Sequence, residues 1–115
     1  FRTEYYRLVA RVLEEQAQVI PCYAGWASAQ IHANGDVWPC CVRGDAIMNV
    51  RDVDYDFRRV WFSPQADQAR RSIRRGECHC PLANAAYTNM LHNYRIVARV
   101  VWNVLRARLR DRPAA

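Results

Sequence analysis

The chain has 115 residues, of which 51% are hydrophobic and 24% are charged. This is enough for one domain with a modest core, and it argues against disorder. No apolar run approaches the roughly 20 residues of a membrane-spanning helix, so we expect no membrane span. The net charge is +6, and all 17 cations are Arg. We interpret the Arg clusters as solvated helix faces, and we expect no nucleic-acid partner.

The first predicted element is a helix over residues 3–18. Apolar residues recur at helical spacing along it, Thr3 is a candidate N-cap, and Pro21 ends it. We expect this helix to connect the rest of the chain to a preceding domain.

Residues 27–41 predict a β-hairpin, since Asn34-Gly35 is a strong signal for a two-residue type I′ turn. With that turn, Ile31 pairs with Trp38. The register then places Cys40 on the apolar face of the hairpin and Cys41 on the opposite face. Gly25 permits the chain before the hairpin to curl back, which brings Cys22 towards Cys40.

The second half of the chain is predicted to be mainly helical. Residues 42–55 form a loop with a short strand at 48–50, and residues 56–62 form one or two helical turns. A further helix starts at Ser63 with Pro64 in its first turn and stops at Gly76. One long Arg-rich helix then runs from Leu82 or Ala85 to Arg110. The fold class is therefore α+β, with a small hairpin packed on helices.

Five cysteines are an odd number, so they cannot form a closed set of disulfides. In a reducing compartment such as the cytoplasm, they are better explained as metal ligands. Two separated pairs, Cys22 with Cys40 and Cys78 with Cys80, predict a four-thiolate site for zinc or an iron–sulfur cluster. Cys41 and His79 are alternative ligands. Two other readings remain open: a zinc-stabilised interaction module with Arg-rich helices, and a helical domain with buried free cysteines.

The spacing Cys22-x12-Gly35-x4-Cys40 resembles the opening motif of SPASM and twitch domains, the auxiliary-cluster domains of radical S-adenosylmethionine (radical SAM) enzymes. The hairpin sequence, Asn49 and the helix that ends before Cys78 also match, so the resemblance covers residues 22–91. The chain lacks the later cysteines of the seven-cysteine pattern, and it therefore looks like the shorter twitch type.

The resemblance implies one auxiliary [4Fe–4S] cluster held by Cys22, Cys40, Cys78 and Cys80. It divides the chain into a linking helix (1–20), the cluster-binding domain (21–91) and an Arg-rich C-terminal helix (92–115). The catalytic Cys-x3-Cys-x2-Cys motif is absent from the sequence. The chain is therefore not catalytic by itself. It is expected to partner a barrel domain that binds S-adenosylmethionine and acts on a peptide or small-molecule substrate.

Overall fold

Helices and a small antiparallel sheet make up residues 1–110, the part of the chain that the computed structural model describes. The elements in chain order are α1 (Arg2–Glu15), β1 (Gln30–Ile31), β2 (Asp36–Trp38), β3 (Met48–Asn49), a 3₁₀ turn (Val50–Val53), α2 (Phe57–Trp61), α3 (Pro64–Arg74), α4 (Ala83–Leu91) and α5 (Tyr94–Arg110). The strand order in the sheet is β1-β2-β3, with both pairs antiparallel. The predicted α+β class is confirmed. The last five residues of the predicted Arg-rich region, 111–115, lie outside the described part.

Helix α1 ends earlier than predicted, at Glu15 and not at Gln18. Gln16 adopts the left-handed conformation, with φ of 49°, and its side-chain amide donates to the Leu13 carbonyl at 2.6 Å. This local cap satisfies a carbonyl at the end of the helix and stops its propagation. The predicted N-cap is also wrong, since Phe1 occupies that position and Thr3 lies inside the first turn.

The hairpin forms where predicted, but its register is off by one residue. Gln30 pairs with Trp38 and Ile31 with Val37, because the loop contains three residues and not two. Gly35, with φ of +96°, completes this loop and donates its N–H to the His32 carbonyl at 2.8 Å. A three-residue loop that ends in a left-handed residue is the next most common hairpin connection.

The corrected register makes Ile31 and Val37 direct partners on one face, although the predicted register assigned them to opposite faces. Val37, which the predicted register assigned to the polar face, is fully buried, whereas Ile31 is 56% exposed. The strand also ends at Trp38, and the chain bends immediately afterwards. Strand alternation therefore does not extend to Cys40 and Cys41, and the argument that used it to separate these residues fails.

A small hydrophobic core lies between the sheet, the 3₁₀ turn and helices α2 and α3. It consists of Val37, Ile47, Val50, Val53, Val60 and Ala66. Asn49 attaches the hairpin loop to this core, since its side-chain amide donates to the Asn34 carbonyl at 3.1 Å and to the Asp36 carboxylate at 2.9 Å. The predicted short strand near residue 48 therefore forms and holds the hairpin loop through the hydrogen bonds of Asn49.

Helix α3 follows its predicted signals closely. The Ser63 hydroxyl accepts from the Ala66 N–H at 3.1 Å, Pro64 occupies the first turn, and the helix ends at Arg74 just before Gly76. Helix α2 has a similar start, with the Asp56 carboxylate accepting from the Arg58 N–H. Both side chains satisfy amides that the first helical turn leaves without partners.

The predicted long C-terminal helix is two helices, α4 and α5. The break falls at His92 and Asn93, where the Asn93 side chain accepts from the N–H groups of Arg95 and Ile96 and caps α5. An Asn inside an apolar helical pattern is an N-cap signal that the continuous stripe concealed. Only the first part of the stripe packs, with Met90 and Ile96 buried, while every residue from 101 to 110 is exposed.

Helix α1 packs against α4 and the beginning of α5. The Tyr5 hydroxyl donates to the Pro81 carbonyl at 2.8 Å, and the buried Glu4 carboxylate pairs with Arg99 at 3.0 Å and with Arg7 at 2.6 Å. The described helices include none that is long and apolar enough to cross a bilayer.

Candidate metal centre

The predicted ligands come from three segments of the chain. These are the segment after α1 (Cys22), the bend after β2 (Cys40) and the turn after α3 (Cys78 to Cys80, the Cys-x-Cys turn). All four predicted thiols are half-buried, whereas Cys41 and His79 are exposed. The predicted set therefore differs in burial from both alternative ligands.

The Cys22 segment is held by two backbone N–H groups that follow the cysteine. The N–H of Tyr23 donates to the Asn89 side chain of α4 at 2.8 Å. Gly25, with φ of +75°, donates to the Pro39 carbonyl at 3.1 Å, so the curl lies directly against the residue before Cys40. The predicted curl at Gly25 is confirmed.

Arg70 of α3 also holds the chain at Gly25 in place. Its guanidinium donates to the Gly25 carbonyl and to the Trp61 carbonyl, both at 2.7 Å. The same group lies 4.7 Å from the ring centroid of Trp61 and 5.5 Å from that of Trp26. Because Arg70 is only 7% exposed, these are buried charge-assisted contacts.

Cys40 lies in a tight bend in which a backbone N–H donates a hydrogen bond to its sulfur. The N–H of Arg43 donates to the Cys40 Sγ at 3.3 Å. Such N–H···S bonds stabilise a thiolate, and around iron–sulfur clusters they also raise the reduction potential. Cys41 points elsewhere, towards the Asn84 amide of α4, whose nitrogen lies 3.7 Å from its sulfur.

The Cys-x-Cys turn places its two thiols among the other cysteines. Burial raises the pKa of the Cys78 thiol, the nearby Arg43 guanidinium acts in the opposite direction, and the Cys22 and Cys40 thiols raise the pKa further. Cys78 thus shares its surroundings with cysteines from both other segments.

The Cys80 thiol shows the same pattern. Burial raises its pKa, the nearby Leu82 backbone lowers it, and the thiols of Cys22, Cys40 and Cys41 raise it. Like-charge repulsion of this kind requires neighbouring sulfurs. This indicates that Cys80 lies near cysteines of both other segments.

Two small cavities meet at Cys80. One, of about 20 Å³, is lined by both Cys22 and Cys80, and the other, of about 110 Å³, is lined by Cys40, Cys41 and Cys80. Cys80 therefore lies between the first and second cysteine segments.

Arg43, like Arg70 and Asn89, is a residue near the site that the sequence analysis did not identify. Its guanidinium donates to Ser72 at 2.7 Å and pairs with Asp45 at 2.7 Å, and the Ser72 hydroxyl in turn donates to Glu77. This chain of contacts connects the Cys40 bend to the end of α3, just before Cys78. The residue lies in a segment without a periodic pattern, so its only sequence signal is its position after Cys40-Cys41.

The donor set fits an iron–sulfur cluster chemically. Soft thiolates are the usual ligands of such clusters, and half-burial with a backbone N–H donor at the Cys40 sulfur is a suitable environment for them. In the described residues, no three His, Cys, Asp or Glu side chains form a group that could hold one metal ion. The cysteines are thus neighbours, but within residues 1–110 they do not form a ready single-ion site.

The comparison with protein families agrees with this donor set. A family described as SPASM, iron-sulfur cluster-binding domain, matches residues 22–81. The match begins at Cys22, ends one residue after Cys80, and covers more than half of the 115 residues. No curated protein and no solved structure matches the chain. The chain belongs to the SPASM family of iron–sulfur cluster-binding domains.

Proposed function

We propose that residues 21–91 hold one [4Fe–4S] cluster through Cys22, Cys40, Cys78 and Cys80, as the auxiliary-cluster domain of a cytoplasmic radical SAM enzyme. In this proposal, residues 1–20 join the domain to a barrel that carries the catalytic Cys-x3-Cys-x2-Cys motif and binds S-adenosylmethionine. Residues 92–115 form a C-terminal extension. The substrate is a peptide or another small molecule.

The observation that carries the proposal is the family match, which starts at Cys22 and takes in Cys40, Cys78 and Cys80. The surroundings of the thiols support it. The pKa of Cys78 responds to Cys22 and Cys40, and the pKa of Cys80 responds to the same two residues. Free cysteines buried as small hydrophobic residues have no reason to gather in this way.

A bound cluster would supply one-electron transfer or a Lewis-acidic iron at this place. The chain itself supplies thiolates, an N–H donor from Arg43 to the Cys40 sulfur, and a cation beside Cys78. Arg70 and Asn89 hold the Cys22 segment in position from α3 and α4. These contacts orient the ligands before a cluster is bound, which lowers the entropic cost of loading.

The first experiment measures iron, sulfide and zinc in the anaerobically purified chain and in single Cys→Ala variants. We expect about four irons per chain, with absorption near roughly 400 nm, as for [4Fe–4S] centres. Cys22→Ala, Cys40→Ala, Cys78→Ala and Cys80→Ala should each lose most of the iron. Cys41→Ala is the matched control and should keep it. A colourless protein with one zinc per chain would contradict the cluster.

A second experiment tests the radical SAM context separately. The coding sequence upstream of Phe1 is determined, and we expect it to encode a Cys-x3-Cys-x2-Cys motif. The longer protein should then bind S-adenosylmethionine, and it should cleave it under reducing conditions. An upstream region without that motif would leave the cluster-binding domain intact as a finding but refute its assignment to a radical SAM enzyme.

A further inference from the structure

The last ten residues of α5 form a surface that nothing in the described chain covers. Val101, Trp102, Val104, Leu105 and Leu109 are between 47% and 66% exposed. Their spacing of three and four residues places them on one side of the helix. Ten helical residues extend about 15 Å, so this apolar strip is roughly three turns long.

The opposite side of the same segment carries positive charge. Arg99, Asn103, Arg106 and Arg110 recur at intervals of three and four residues and form a polar stripe. Residues 94–110 contain five Arg and no acidic residue. Arg108 falls within the apolar side, in the last turn, where a long aliphatic stem can carry its charged end outward.

Trp102 lies at the boundary between the two sides. The Arg106 guanidinium covers its ring, 5.1 Å from the centroid. Indole rings prefer the zone where an apolar layer meets a polar one. The position of the Trp102 ring therefore suits an interface between an apolar and a polar layer.

The charges decide between possible occupants of this surface. A second copy of residues 94–110 would bring together two segments that each carry five Arg and no acidic residue. A surface rich in phosphate, with an apolar layer beneath it, satisfies both the Arg stripe and the apolar strip. An amphipathic helix with a cationic polar face and Trp, Leu and Val on the other face is typical of helices that lie in the bilayer interface.

We propose that residues 101–110 of α5 bind the surface of an anionic lipid bilayer. The helix lies in the plane of the interface, with Val101, Leu105 and Leu109 in the acyl boundary. Arg106 and Arg110 contact lipid phosphates, and Trp102 sits at the headgroup level. The inference concerns α5 alone, so it does not depend on which cluster the cysteines bind.

The test uses two variants of the 115-residue chain that change the net charge equally. Leu105→Glu alters the apolar side, and Asn103→Glu alters the polar side two residues away. Both positions are exposed, so both variants should keep the wild-type melting temperature. Binding is measured by co-sedimentation with vesicles of phosphatidylglycerol and phosphatidylcholine, and with vesicles of phosphatidylcholine alone.

We expect binding to the anionic vesicles only. Asn103→Glu should weaken it by no more than about fivefold, the effect of one charge near the membrane surface. Leu105→Glu should weaken it at least about tenfold more than Asn103→Glu does, because it also removes buried apolar area. Leu105→Asn, which adds no charge, should reproduce that apolar loss and serves as the second variant if Leu105→Glu melts early.

Three results would overturn the proposal. Equal losses from Leu105→Glu and Asn103→Glu would mean that charge alone attracts the chain and that the apolar strip stays in water. No binding to anionic vesicles would point to a protein partner. A dimer in solution that Leu105→Glu dissociates would assign the strip to a second copy.

Discussion

Replacing Arg70 by Met tests whether the guanidinium holds the Cys22 curl against α3. Met keeps an unbranched apolar stem but removes the donors to the Gly25 and Trp61 carbonyls. Each buried charge-assisted hydrogen bond contributes about 1.5–3 kcal/mol. The stacking on the two Trp rings adds about 0.5–2 kcal/mol.

The neighbouring residue offers a matched control. Arg71 lies on the same helix, is exposed, and loses the same charge in Arg71→Met. After allowance for the apolar contacts that Met retains, Arg70→Met should lower the free energy of unfolding by about 3–5 kcal/mol. Arg71→Met should change it by no more than about 0.5 kcal/mol.

The assay is urea denaturation of the cluster-free chain followed by far-ultraviolet circular dichroism, which avoids the fluorescence of the affected Trp residues. Iron content after identical reconstitution is the second measurement, and it should fall in Arg70→Met because the Cys22 curl loses its support. A difference below about 1 kcal/mol between the two variants would refute the reasoning.

Three other predictions follow from the described contacts. Gly35→Ala should destabilise the chain by about 1–3 kcal/mol in a thermal melt, because a Cβ would lie 2.6 Å from the Asn49 side chain at a positive φ; Gly44→Ala, with open space around it, is the control and should be nearly neutral. Arg43→Met should lower the cluster potential in a redox titration by some tens of millivolts (on the order of 10–100 mV) relative to Arg58→Met, since a cation beside Cys78 is lost; equal potentials would contradict this. The cluster-free chain should lose stability as the pH rises from about 8 to about 10, because the folded state raises the thiol pKa values of the Cys-x-Cys turn and thus favours the protonated form, whose stabilising effect is complete below the unfolded pKa. A variant with both of these cysteines replaced by Ser should lose less stability over this pH range. An identical pH profile would refute the assignment of the pH dependence to these two thiols.

The elements that the sequence predicted well are those with local chemical signals. Ser63 and Pro64 mark the start of α3, and Gly76 marks its end, because caps act over only a few residues. The left-handed curl at Gly25 follows from the conformational freedom of glycine in the same way. The family resemblance also depended on local spacing, from Cys22 to Cys40.

The hairpin register was wrong because two loop lengths compete for the same sequence. A two-residue loop at Asn34-Gly35 and a three-residue loop that begins at Ala33 both use Gly35 with positive φ. The second is favoured here by tertiary contacts, since it buries Val37 in the core and lets Asn49 bond the loop. Neither contact is visible in the hairpin sequence alone.

The surroundings of the cysteines could not be predicted for a related reason. Arg43 reaches Ser72 across 29 positions, Arg70 reaches Gly25 across 45, and Asn89 reaches Tyr23 across 66. Contacts at such separations depend on how the helices pack, and no periodicity or cap residue encodes them. The ligand types were readable from the sequence, while the groups that hold them were not.

The contacts at the two ends of the cysteine region mean that the folding unit is larger than the family match. The Cys22 segment is tied to Asn89 of α4, and the residue after Cys80 is tied to Tyr5 of α1. A chain trimmed to residues 22–81 would therefore lose an anchor beside its first cysteine and another beside its last. It would also bare the apolar residues that α1 and α4 cover. A shortened chain for study should include both α1 and α4, because residues inside the family match pack against helices that lie outside it.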